Sequence, residues 1–564
     1  MVEKTMKVKH ESQKHGCCCI NLNFLSLQFV GAKKMEQSMG LMQHQSSESR
    51  DLERSTLNQT SLGPWVTGVF LAVFAVFIIV TLTHYYNWPV DRDMSLYASA
   101  ANELIHGEKL YSSVWDVKPP AIWMTFMLAQ MVVGYNSGMI LFLSCVISLT
   151  LLVGFYLVGR DSGYGSWAGI LAAGMWALIA GDVRFHLCEP FPEHFMNAAI
   201  LFSIWVFLKR SDGSIKSAIV IGLLWFIASM YKHSIVLAMA AFGLCYLLMA
   251  AYQKRLKLAL KDLLVIAGVG CVGWLCVFGY FTMTGRFTIF YQTMFTWAMD
   301  RFSSPIDNVW IKSSPQWMYL PFERLKFYIY PMLFAIGGIV AGCSHKKQQV
   351  WWLLAFYMLF AHIASTSHRT SYAHYYYYWI PPLLLGTACA LVAIGRASFY
   401  GARVFGIGLA LVLMASLFIP QMPFYGKDFD ELYSKGIYDV YKEERRLGYD
   451  LYSLMNENDR LFLWGKDMGV YFFSHSRPSQ SVIYHDAMCE GIFKEKFTKI
   501  TLQRLEQHPP KLVIIRNGYM KKFPEHPVLD WISQRYQPNQ EWSKQYRYFT
   551  ILQPYQSHSP TIDQ

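Results

Sequence analysis

Charge is scarce in this 564-residue sequence: Asp, Glu, Lys and Arg make up 16% against 53% apolar residues, where an average soluble domain carries roughly 25% charged. That balance excludes an ordinary soluble protein of this size. CxxC pairs and metal-type His/Cys spacings are absent, which removes zinc-finger and thiol-redox readings. The 11 cysteines make no framework, since Cys17, Cys18 and Cys19 are adjacent and Cys489 is alone in the polar C-terminal region. No disulfide forms within that region, and its fold must rest on its own core. No GxGxxG or P-loop follows any strand candidate, and Gly465, after Leu461 to Trp464, reads as a turn. Internal repeats and charges deep inside apolar runs are missing too, which weighs against a transporter.

The excess of 50 basic over 38 acidic residues is unevenly placed. Residues 421–564 hold 19 basic and 18 acidic side chains, leaving 31 and 20 for residues 1–420. The positive charge travels with the apolar part, where short basic loops orient helices in a membrane. A nucleic-acid partner is excluded on that ground.

What the sequence has in abundance is apolar segments near the span length of about 20 residues. After a polar stretch, 1–60, read as a disordered cytoplasmic tail with later candidate starts at Met35, Met39 and Met42, spans are expected over 64–86, 137–158, 164–182, 190–208, 215–231, 234–252, 262–283, 327–343, 349–366, 375–394 and 404–421. Arg160, Lys209-Arg210, the basic run 253–257, Lys346-Lys347 and Arg396 with Arg403 fall at every second connection, which makes those connections cytoplasmic. The alternate connections, near 183–189, 232–233, 284–326 and 367–374, are then outside, as are 87–118 and everything after 421. Parity requires that the shorter apolar stretch 119–134 dip and return, or cross at the expense of another span. Beyond 421, strand candidates at 461–464, 481–484, 512–515 and 546–552 alternate with helical stretches at 492–507 and 524–536, the pattern of a small α/β domain. The expected fold is a polytopic α-helical membrane protein of about 11 to 13 spans, domain 61–421, with an exoplasmic α/β domain over 422–564.

Chemistry concentrates in the outer connections. The first holds Asp91-Arg92-Asp93-Met94-Ser95-Leu96-Tyr97-Ala98, then an amphipathic stretch over 95–110 read as a helix lying along the surface, then Lys118-Pro119-Pro120. The prolines stop a helix and hold Lys118 at headgroup depth, suited to a lipid phosphate or to snorkelling. The second holds Glu189-Pro190-Phe191-Pro192-Glu193. With Pro190 in a first helical turn, Glu189 and Glu193 are four apart and share a face of one helix. Carboxylates at the mouth of an apolar helix mark a functional cavity.

The order Asp93 to Ala98, Lys118-Pro119-Pro120, Glu189-Pro190-Phe191, Met230-Tyr231-Lys232 and His374-Tyr375-Tyr376-Tyr377-Tyr378-Trp379-Ile380-Pro381-Pro382 resembles the GT-C superfamily of integral-membrane glycosyltransferases. It is similar to the branch that includes protein O-mannosyltransferases and the aminoarabinose transferases of lipid A, over roughly 64–400. The resemblance implies transfer of a hexosyl or pentosyl group from a polyprenyl-phosphate donor to a glycan, lipid or protein acceptor outside the cytoplasmic membrane, with inversion. It implies Asp93 as general base, Glu189 or Glu193 as second acid, and Asp91 and Tyr97 in support. Lys118 leads the donor-phosphate ligands, with Lys232, His233, Arg301, Arg324, Arg369 and His374 as further candidates. The acid that commonly follows the first aspartate is Met94 here, so a divalent cation, if one is used, would fall to Asp91 and Asp93. The loop 285–326 exceeds ordinary loop lengths and suits a lid. A flippase of polyprenyl-linked sugars is the alternative, and a non-catalytic scaffold leaves the acids at 93 and 189 without a task.

Overall fold

The computed structural model describes residues 62–210, 213–297, 299–300, 323, 325–343, 349–367, 372–397, 400–425, 437–456, 458–480 and 485–555. Each of the expected spans holds a helix: α1 Pro64–His84, α4 Ser137–Gly159, α5 Ser166–Ile179, α6 Pro192–Lys209, α7 Ile215–Tyr231, α8 Ile235–Tyr252, α9 Leu256–Met283, α10 Ile329–Gly342, α11 Gln349–Ser367, α12 Ile380–Gly395 and α13 Ala402–Phe418. Between α1 and α4 lie α2, Arg92–Ile105, and α3, Pro120–Val133. Among the described residues six helices are by themselves long and apolar enough to cross a bilayer, and α3, α5, α7, α10 and α11 are shorter apolar helices. Exposed leucines, valines and aromatics on α1, α9 and α13 give the bundle an apolar exterior, as a lipid solvent demands. Small residues let neighbours close up: a Cβ at Gly159 of α4 would stand 2.7 Å from the Gly169 Cα of α5.

Helix α3 occupies the short apolar stretch 119–134. Its 14 residues reach about 21 Å, short of the roughly 30 Å hydrocarbon core. Both its ends meet the same partner: Lys118, just before it, pairs with Asp93 of α2, and Tyr135, just after it, shares a 3.0 Å hydrogen bond with Ser99 of α2. Both ends of α3 are thus held against α2. Helix α2 is a correction to the surface-helix expectation, because Met94 to Glu103 are all buried. Its amphipathic pattern reflects packing against α3 on one side and the C-terminal region on the other.

That region opens with α14, Ile437–Tyr452, and builds one five-stranded sheet of order β2-β1-β3-β5-β4 from β1 Arg460–Trp464, β2 Arg477–Pro478, β3 Leu512–Arg516, β4 Tyr536–Pro538 and β5 Phe549–Pro554. Strands β2, β1 and β3 run parallel and β5 pairs antiparallel to β3 and β4. Helices α15, Lys494–Gln507, and α16, Pro527–Arg535, match the expected helical stretches. The strand expected at 481–484 lies outside the described residues, as does the tail 1–60. The buried Phe462, Trp464, Val513 and Ile515 supply the sheet with its own core.

Two ion pairs dock this sheet onto α2. Arg477 grips the buried Glu103 through two bonds of 2.8 and 2.9 Å, and Arg504 reaches both oxygens of Glu108 at 2.9 Å. Losing one partner of a buried pair typically costs about 3–5 kcal/mol because the other charge stays desolvated. Arg477→Leu is expected to loosen the docking by that order, seen as faster protease release of the C-terminal region, while adding Glu103→Leu restores part of the resistance. Equal proteolysis of the wild type and the single variant would contradict the role.

Candidate active site at one end of the bundle

Three carboxylate–cation pairs gather where the 87–118, 183–189 and 232–233 connections meet. The first is built on α2. Asp91 caps this helix by accepting the Asp93 N–H at 2.8 Å, which places Asp93 in the first turn with its side chain toward Lys118. Lys118 Nζ stands 3.5 Å from Asp93 Oδ2 and 5.1 Å above the Tyr97 ring, while Arg92 Nε lies 3.7 Å from Asp93 Oδ1. Lysine is held from behind: its N–H donates to Asp116 at 2.9 Å and its carbonyl accepts from Tyr111 at 2.7 Å. Tyr97 is buried with its ring against Trp123 and Phe126. Burial alone would raise the Asp93 carboxyl, but Lys118 and then Arg92 outweigh it and hold the group well below the usual range.

The second pair corrects the reading of the two glutamates. The residue before a proline is pushed out of the α region. Phe191, before Pro192, is extended (φ −63°, ψ 151°), so α6 begins at Pro192 and Glu189 precedes it in a turn. The two acids do not share a helix face. Glu193 binds Lys232, whose ammonium also lies 4.0 Å over the Tyr375 ring. His374 stacks on Phe191 at 4.8 Å between ring centres, beside this pair.

Glu189 turns instead toward the α2 cap and makes the third pair. Its Oε1 accepts the Asp91 N–H at 3.0 Å, and its Oε2 is 3.6 Å from His186 Nδ1. His186 takes a left-handed conformation (φ 56°) at the end of a short turn whose start, Asp182, is buried and held by Arg184 and Tyr328. Burial raises both Asp91 and Glu189 above the ordinary carboxyl range. Burial works against the His186 charge, but the Glu189 bond and charge overcome it and hold the imidazole at about 9.

One oxygen or nitrogen each from Asp91, His186 and Glu189 lie within 4.8 Å of one another. Two carboxylates and an imidazole fit a divalent cation. Asp93 is not in this group, because it faces Lys118. The ligand atoms that the structure brings together are those of Asp91, His186 and Glu189, whereas the sequence expectation is Asp91 with Asp93. His186 is the residue the sequence reading missed. The same triad forms the polar wall of a cavity whose other lining includes Leu82, Ile140 and Leu141 of α1 and α4, Trp88 and Tyr441.

Arg301, Arg324 and Arg369 lie outside the described residues, as does most of the loop expected to form a lid. Its near end is fixed: Trp297 stacks on Phe493 of the C-terminal region and meets Trp115 edge-on. The basic residues of the other set of connections are gathered elsewhere. Arg160 and Lys209 both reach Asp161, Arg210 holds Asp262, and Arg396 bonds the Tyr164 carbonyl.

No family model and no curated protein sequence matches the chain. Solved structures do resemble it. ArnT from Cupriavidus metallidurans bound to undecaprenyl phosphate superposes with a TM-score of 0.54 at 12% identity, covering 86% of this chain and 97% of that one. The same protein in the apo state gives 0.53. The archaeal oligosaccharyltransferase AglB from Archaeoglobus fulgidus, in complex with an inhibitory peptide and a dolichol-phosphate, gives 0.50 at 12% identity over 84% of this chain and 72% of that one. These likenesses show that the chain has the GT-C fold.

The His186 pair carries a pH signature. A histidine raised from an ordinary 6.5 to about 9 stabilises the folded state fully below about 6.5, and that contribution is lost as pH rises through 9. Thermal unfolding in detergent is expected to show wild type losing more stability between pH 7 and 9.5 than His186→Gln. Parallel curves would contradict the pairing.

Proposed function

We propose that the chain is a membrane glycosyltransferase that takes a sugar from a polyprenyl-phosphate donor and joins it to an acceptor hydroxyl or phosphate on the outer side of the cytoplasmic membrane. The observation that carries this reading is the Asp93–Lys118 pair, a carboxylate and a cation set 3.5 Å apart where α2 and α3 meet the bundle. A donor whose polyprenyl chain stays in the bilayer must present its phosphate at that level. Lys118 meets it as a point charge, and Lys232, close enough to repel Lys118, offers a second. Preformed cations aimed at the departing phosphate oppose the charge that develops there.

The acceptor oxygen attacks the anomeric carbon from the face opposite the phosphate. The bond from that carbon to the phosphate oxygen breaks, polyprenyl phosphate leaves, and the configuration inverts. The acceptor proton goes to a carboxylate, for which Asp93 is best placed. Paired with Lys118 it is a weak base. A bound phosphate draws the ammonium away, so its basicity rises when the donor is present. Glu193 keeps Lys232 oriented, Tyr97 supports Lys118, and His374 with Phe191 gives the sugar a flat aromatic neighbour. Asp91, His186 and Glu189 would hold a divalent cation, which would supply further positive charge at the reacting end. The acceptor side is open to a glycan, lipid or protein.

Asp93→Asn keeps size but cannot take a proton, and kcat is expected to fall about 10² to 10⁴-fold. Lys118→Ala should weaken donor binding and slow transfer, with Lys118→Arg recovering part of both. Donor-concentration kinetics on the three variants test this. An unchanged apparent donor affinity and rate in Lys118→Ala would refute the phosphate role.

A further inference from the structure

The C-terminal region touches the reacting end at a point the docking pairs do not explain. Helix α14 presents Tyr441, Glu444 and Arg445, spaced i, i+3 and i+4 and therefore on one face. Arg445 donates to the Asn87 carbonyl, just before the α2 cap. Tyr441 donates its hydroxyl to Asp91 Oδ2 at 3.2 Å and is itself buried. The buried Glu444 accepts the Gly469 N–H at 2.9 Å, which ties α14 to the turn after β1. In that turn Asp467 lies 3.8 Å from Arg516 of β3. A continuous line of contacts thus runs from the sheet through α14 to the chain segment that carries Asp91 and Asp93.

Asp91 is the joint at which that line enters the site. One of its oxygens caps the Asp93 N–H, the other accepts from Tyr441, and its own N–H reaches Glu189. The direction of the Asp91 carboxylate fixes the first turn of α2, and that turn sets where Asp93 stands. We propose that Tyr441 is a positioning residue for the transfer reaction, holding Asp91 so that Asp93 and Glu189 keep their places. The catalytic end is then complete only when the C-terminal region is docked. This rests on the glycosyltransferase reading of the site, but its structural half is testable without it.

The test uses the full-length protein in detergent, wild type and Tyr441→Phe, which removes only the hydroxyl. Hydrogen–deuterium exchange over residues 88–94 is compared with exchange over β1 and β3, and transfer kinetics are run alongside. Loss of a hydrogen bond to a charged group is expected to raise exchange over 88–94 and to lower kcat, each about 10-fold, with donor KM unchanged. The sheet peptides stay at wild-type exchange, which separates a displaced joint from a misfolded domain. Wild-type exchange over 88–94, or faster exchange with unchanged kcat, would overturn the proposal. If the wild type transfers nothing from any donor, the glycosyltransferase reading falls. In that case faster exchange over 88–94 in Tyr441→Phe still supports the joint, and unchanged exchange overturns it.

Discussion

A charge carried to the edge of a bilayer has to be matched, because water is too scarce there to solvate it alone. Most of the arrangement at the reacting end follows from that requirement. Asp93 is matched by Lys118, Glu193 by Lys232 and Glu189 by His186; the first ties the two ends of the 87–118 connection, the second joins two connections and the third lies within one turn. Together with the Asp91 N–H bond to Glu189, the pairs hold α2, α3 and the starts of α6 and α8 in one place. They also leave the site able to exchange partners. On the proposed reading, a donor phosphate takes a lysine from its carboxylate at modest cost, since the pair trades one anion for another and never exposes a bare charge.

Helix α2 converts this local matching into an architecture. Its N-terminal turn carries Asp91 and Asp93, and its C-terminal end carries Glu103, with Glu108 just beyond. One short helix therefore bonds the membrane helices, α3 and the sheet domain together. The opposite end of the bundle is organised differently: Asp161 and Asp262 neutralise basic residues of short connections.

Much of this was legible in the residues. The spans followed from apolar length, and the alternation of basic loops sorted the connections into the two groups that the structure gathers at separate ends. Lys118 beside two prolines was readable as a fixed cation, whereas the helix expected over 95–110 in fact starts at Arg92 and carries Asp93 and Tyr97 on one face. The Glu189 and Glu193 geometry was misread although its signal was present: two prolines in Pro190-Phe191-Pro192 keep the chain extended and delay the helix to the second of them. His186 gave no signal, because its position depends on a left-handed turn and on Asp182 being buried. Glu103 and Glu108 pair with residues 374 and 396 positions away, and no local pattern announces that. Helix α14, with Tyr441, Glu444 and Arg445 at helical spacing, was not among the expected elements.

The central claim is that the paired charges at this end handle a lipid-borne phosphate and the sugar attached to it. The most direct measurement gives purified protein a panel of radiolabelled polyprenyl-phosphate sugars together with glycan, lipid and protein acceptors. The account predicts label transfer from at least one donor, release of polyprenyl phosphate in equal amount, and inverted configuration at the anomeric carbon of the product. Movement of an intact polyprenyl-phosphate sugar across a vesicle membrane, with no sugar transferred from any donor, would contradict it.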